Sequence, residues 1–359
     1  TVTLKWLTPE NWQVDDGSKP IALPAEGSVT IPVSVQCPVY AKYEQTVLYA
    51  RAKLDGKLVT PARLPVRVEP RVVIDQVKPA IADGKPVVTL TLKRLDDSLK
   101  QVNIEMDGKS DQTHFAKADT LSMQLPVNAN DTASKLREYA ITLNDGKREQ
   151  DTRKPSLSFV PTGHVADAPR IDGDLSDWSN LPTPTEGHPV VAWRWDREHL
   201  HLAVKAVDEK HIQDQRPETL WRQDSIQIGL GAFDFANWVR KPIGEMRESD
   251  HTELTVGGSG DGKAFAYCHA TMNKQTCPMG EVGRDAMPAA VINNGQITCY
   301  EVAIPINLAG LKPLQTGSII RASVLLNTND GGRRGYIEWF SGIGRTKSPK
   351  LYGHLILEP

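Results

Sequence analysis

Leu220-Trp221-Arg222-Gln223-Asp224-Ser225-Ile226-Gln227-Ile228-Gly229-Leu230 alternates with a period of two. Ile226, Ile228 and Leu230 fall on one face of the implied strand, and Trp221, Gln223, Ser225 and Gln227 on the other. The first face is suited to a core. The second carries an indole, two amides and a hydroxyl, a set that suits a surface holding a flat, polar ligand of the sugar type. The same pattern also fits a half-buried Trp capping the strand beside two solvated amides. Asp224 shares the parity of Ile226 and Ile228, so it points inward and needs backbone or cation partners. Those partners are either the amides of a braced loop or a calcium ion, with Asp172 and Asp174 as the other acidic candidates.

The rest of the chain is built in the same manner. Downstream of 163, strands are expected in Val190-Val191-Ala192-Trp193-Arg194-Trp195-Asp196 and in Leu200-His201-Leu202-Ala203-Val204-Lys205-Ala206-Val207-Asp208. Val191, Trp193 and Trp195 share a face and read as core, Trp178 as an anchor, and Trp339 as core between Glu338 and Phe340. Upstream, short strands are broken by Pro and Gly. In Ser28-Val29-Thr30-Ile31-Pro32-Val33-Ser34-Val35 the proline places the strand at an edge or bulge. Asp107-Gly108 and Asn144-Asp145-Gly146 are hairpin signals. A charged run over 147–154, followed by Pro155 and Pro161-Thr162-Gly163, marks a linker. An all-β chain of three consecutive β-sandwiches is therefore expected, over 1–70, 71–162 and 163–359.

At 359 residues the chain exceeds what one hydrophobic core usually serves. Its net charge of -2 carries no footprint for nucleic acid or an anionic membrane. No apolar run approaches the roughly 18 residues of a membrane span, so no membrane insertion is expected. A chain opening at Thr1 on a strand pattern reads as a processed product or a region of a longer protein. Of the four cysteines, Cys268 and Cys277 bracket a loop short enough for a local bridge in an oxidising compartment, and Cys37 and Cys299 read as ordinary buried residues. No recognised acid–base, nucleophile or phosphate-loop motif occurs, and a non-catalytic module is expected.

The C-terminal stretch resembles family 9 carbohydrate-binding modules and their DOMON-type relatives. The likeness rests on Ile171-Asp172-Gly173-Asp174-Leu175-Ser176-Asp177-Trp178, on Trp195-Asp196-Arg197-Glu198-His199-Leu200-His201-Leu202, and on the Trp221 stretch. It continues through Tyr300-Glu301-Val302-Ala303-Ile304-Pro305, Leu326-Asn327-Thr328-Asn329-Asp330, Ile337-Glu338-Trp339 and Pro349-Lys350-Leu351-Tyr352-Gly353, in family order. The first 70 residues resemble the immunoglobulin-like accessory domains of secreted bacterial carbohydrate-active proteins, through Asn11-Trp12-Gln13-Val14, Leu23-Pro24-Ala25-Glu26-Gly27-Ser28 and Val33-Ser34-Val35-Gln36-Cys37-Pro38, and 71–162 reads as a second immunoglobulin-like sandwich.

The first resemblance implies a β-sandwich that holds an oligosaccharide or polysaccharide between two Trp side chains, because pyranose C–H faces stack on indole while the hydroxyls need edge hydrogen bonds. Trp221 sits where the first of these is expected and Gln227 where the family offers a carboxylate. Glu253 and Thr255 would lie on the polar side of a neighbouring strand, with Arg222 and Gln223 nearby. The second Trp belongs between Trp339 and Pro349. Here that loop contains none, leaving Phe340 or Arg345 for the opposite wall.

The implied setting is a secreted or envelope protein, with no cofactor required and calcium as an option. Two alternatives stand beside it. Some relatives hold a b-type haem, for which Met246, His251, His269 or Met272 are the available ligands, and three sandwiches can also serve as a structural or adhesive stalk. The insertion over 233–250 reads as a surface loop.

Overall fold

The computed structural model describes all residues except 16–19, 23, 39–44, 60, 117, 128–134, 234–250, 330 and 332–333. The fold is all-β, and the helical segments described, such as Pro217–Arg222, are short 3-10 turns. By contacts the chain divides into two units. The first comprises Thr1–Asp75, Leu92–Leu121 and Ala140–Arg153, and the second Gln76–Thr91, Ser122–Tyr139 and Lys154–Pro359.

In the first unit, Gln45–Leu54 pairs with Val2–Leu7 and with Ala62–Arg67. The strand expected over 28–35 is confined to Ser34–Gln36, because Pro32 has no N–H for a ladder. Gln101–Met106 and Lys109–His114 form the expected hairpin, with Met106 opposite Lys109. Its turn residues Asp107 and Gly108 both take positive φ, 51° and 76°, as a tight turn matched to strand twist requires.

The second unit is dominated by a 12-stranded sheet that curls on itself. One half runs Gly280–Val282, Phe265–Ala270, Thr252–Gly257, Ser225–Ala232, Ile319–Asn329 and Gly353–Leu357. The other runs Val190–Trp195, His199–Val207, Ile297–Pro305 and Ala289–Asn293, and the twelfth strand, Arg334–Trp339, pairs with Ile319–Asn329. Val160–His164 joins the halves by pairing in parallel with Gly353–Leu357 on one side and Val190–Trp195 on the other. Trp193, Leu202 and Val204 from one half pack with Ile226, Ile228, Leu254 and Val256 from the other in one buried cluster, which makes the curled sheet a β-sandwich. Trp178, Trp193 and Trp195 are buried, and Trp339 packs against that cluster.

Two features depart from the sequence expectation. Leu220 to Gln223 do not continue the strand: Pro217 opens a 3-10 turn that ends at Arg222, and the strand starts at Ser225. The polar side of Ser225–Ala232 is also buried, because this strand is central and a second small core of Leu325, Ile343 and Tyr352 lies in the same unit. Among the described residues, no helix is long and apolar enough to cross a membrane.

Candidate functional site

The floor of the site is a buried polar network on adjacent strands. Register sets Gln227 opposite Thr255 and Gly229 opposite Glu253, so these side chains share a face. Gln227 Nε2 donates to Glu253 Oε1 at 3.0 Å, and Lys347 Nζ donates to the same oxygen at 2.6 Å. His251 Nε2 lies 3.8 Å from the other carboxylate oxygen. Burial pushes the Glu253 carboxyl up, but the neighbouring His251 and the Lys347 charge outweigh it and hold the group below its ordinary range. Asn327 Nδ2 donates to Ser225 Oγ at 3.1 Å and reaches Gln227 Oε1 at 3.5 Å. Gln227 is thus fixed from both sides.

Above this floor opens a cleft of about 730 Å³. Trp221, Gln227, Glu253 and Arg345, all expected from sequence, line it. So do Arg334, Tyr336 and Lys347, which were not expected, and His251 and His269, which were named only as haem ligands. Trp221 does not present a bare ring: the Arg334 guanidinium lies 4.6 Å and that of Arg222 5.3 Å from its centroid. Arg334 is fixed by donating to Asn327 Oδ1 at 3.0 Å. Tyr336 is an exposed aromatic on the same strand.

The remaining expected residues do other work. Gln223 Oε1 accepts the Asp214 amide at 2.8 Å, and Thr255 Oγ1 hydrogen-bonds His269 Nε2 at 2.9 Å. Phe340 is no opposite wall, because it is buried with its ring 4.6 Å from that of Trp339. Arg334 and Tyr336 had a signal in the alternation of Arg334-Gly335-Tyr336-Ile337-Glu338-Trp339. That pattern separates Arg334, Tyr336 and Glu338 from Ile337 and Trp339, but it does not say what either face meets.

No family model and no curated protein matches the chain. Among solved structures, it is similar to a family 9 carbohydrate-binding module from Caldicellulosiruptor kristjanssonii. With cellotriose bound, that module is 19% identical with a TM-score of 0.40, and the match covers 55% of this chain and 93% of the module. With glucose bound, the figures are 18%, 0.41, 55% and 95%.

The acidic candidates separate in space. Asp224 is buried and accepts the backbone amides of Ile212 at 2.6 Å and Asn329 at 2.7 Å, which braces two loops. Burial raises its pKa to about 6. The ligand-type groups beside it are Asp208 and His211, not Asp172 or Asp174. His211 Nδ1 meets Asp208 Oδ2 and its Nε2 meets the Gly258 carbonyl, both at 2.8 Å. Burial lowers its pKa, but these acceptors outweigh burial and raise it. His211 thus has an acceptor at each ring nitrogen, and it brings a nitrogen donor into a set whose other members are carboxylates, whereas calcium prefers oxygen ligands. Asp172 Oδ1 accepts the Asp174 amide and Asp174 Oδ1 that of Ser176, both as turn braces.

All four cysteines are free, so the expected Cys268–Cys277 bridge is not formed; both thiols are buried in the core cluster. Cys37 is exposed and Cys299 half-buried, rather than core residues.

Proposed function

We propose that the C-terminal unit is a sugar-binding module without catalysis of its own, part of a larger secreted or envelope protein that adheres to or acts on polysaccharide. One observation carries this reading: a cleft of about 730 Å³ combines aromatic sides, Trp221 and Tyr336, with a pre-organised floor of Gln227 and Glu253. Aromatic sides accept the C–H faces of a pyranose, and a fixed carboxylate and amide satisfy its hydroxyls. The bound sugars of the family 9 module are consistent with this class of ligand.

The haem alternative gains nothing from the arrangement. His269 commits Nε2 to Thr255, His251 directs Nε2 at Glu253, and Met246 lies outside the described residues. A porphyrin needs apolar faces, whereas this cleft is rimmed by Arg334, Arg345 and Lys347.

A glycan array with the wild-type chain, Trp221→Ala and Tyr336→Ala tests the proposal. Binding to a defined set of glycans, lost in Trp221→Ala and weakened in Tyr336→Ala, supports it. A blank array with folded wild-type protein leaves the scaffold reading in its place.

A further inference from the structure

Three guanidinium groups gather at one cleft and, among the described residues, none of them forms an ion pair with a carboxylate. Arg334 and Arg345 line it, and Arg222 lies over the Trp221 ring. Among the described residues, the carboxylate lining the cleft is Glu253, and its charge is taken by Lys347 at 2.6 Å. Glu338, on the same strand as Arg334, accepts the backbone amides of Ile343 and Gly344 at its Oε1, at 3.1 and 2.8 Å. The side-chain acceptor of Arg334 is the neutral Asn327 amide oxygen. Burial and the neighbouring Arg222 charge lower the Arg334 pKa, as expected of a cation held without a counter-charge.

We infer that the cleft takes a sugar bearing a carboxylate, a uronic acid unit within a polysaccharide, with Arg334 and Arg345 as its charge partners. This rests on the sugar-binding reading and deepens it. A neutral sugar would leave the guanidiniums at the cleft without a counter-charge. A uronate supplies the missing charge. Its planar carboxylate matches the two parallel N–H donors of a guanidinium, while its ring keeps the C–H face that Trp221 and Tyr336 accept. Sulfated sugars share the charge but not the planar two-oxygen geometry.

Titration calorimetry compares trigalacturonate, its methyl ester, galactotriose and a sulfated galactose oligomer on the wild-type chain, Arg334→Gln, Arg345→Gln and Trp221→Ala, each checked for an unchanged melting curve. The expected result is a preference of about tenfold or more for trigalacturonate over its ester, the value of roughly one charge-assisted contact. That preference shrinks in Arg334→Gln and Arg345→Gln and falls with added salt. In Trp221→Ala, acid and ester both lose affinity. Equal affinity for trigalacturonate, ester and galactotriose overturns the inference and leaves the sugar-binding reading standing. Preference for the sulfated oligomer overturns the carboxylate assignment. No binding of any of the four, together with a blank glycan array, overturns both readings.

Discussion

Lys347 sets its ammonium 2.6 Å from Glu253 Oε1, across 94 positions of sequence, so that a half-exposed lysine on a loop neutralises a carboxylate that is 4% exposed. A buried carboxylate is tolerated only when paired and hydrogen-bonded, and Gln227 completes the set. The pair therefore links the loop carrying Arg345 to the strand that forms the floor.

Removing the lysine should be felt above the carboxylate's titration range and not below it. The Glu253 pKa is depressed in the folded chain, so its contribution is present above the unfolded value and lost as pH falls through the folded one. Lys347→Met is expected to destabilise the unit by about 1 kcal/mol at pH 7, the exposed lysine limiting the effect. Urea denaturation of both chains at pH 7 and pH 3 checks this, and a difference of equal size at pH 3 would contradict it.

His354 should make the unit acid-sensitive. It is fully buried, accepts the Ser158 amide at Nδ1 over 3.2 Å, and faces the Phe233 ring at 5.3 Å. Burial, then the Arg321 charge, push its pKa down to about 3. The native state holds it neutral, so its contribution is present above the unfolded value of about 6.5 and lost progressively as pH falls toward 3. The expected slope is about 1.4 kcal/mol per pH unit within that window. His354→Gln removes this component, so the difference in stability between wild type and variant should change with pH between 6 and 4. A constant difference would refute it.

Gly229 has no room for a side chain. A Cβ built there falls on the Tyr352 hydroxyl and ring, and Tyr352 is itself fully buried. Gly229→Ala is expected to cost about 1–3 kcal/mol by overpacking. A urea midpoint unchanged from wild type would show that Tyr352 can withdraw.

Much of the fold was legible because alternation is local. Ile226, Ile228, Trp193 and Trp195 declared their core face by parity alone, and Asp107-Gly108 declared its turn. The motif around Asp172 has a cause that becomes visible only in three dimensions. Glu301 accepts the Trp178 indole N–H at 2.7 Å and the amides of Asp172 and Gly173 at 3.1 and 3.0 Å.

The candidate site was only half legible. Trp221 lies on a 3-10 turn rather than the strand, because Pro217 starts a turn where period-two counting sees only parity. Tyr336 reaches the cleft because its strand pairs Asn327 with Tyr336, a register that no local pattern reveals. The ring of Trp221 acquires Arg334 from more than a hundred positions away, and nothing in either stretch announces the other.

The most direct measurement is saturation-transfer-difference NMR of an oligosaccharide selected on the glycan array, with irradiation of the protein's aromatic protons. If a sugar ring seats against Trp221, the C–H protons of one ring receive most of the saturation, and the transfer is lost in Trp221→Ala while the variant keeps its melting curve. Transfer of the same size in the variant would contradict a sugar site at this cleft.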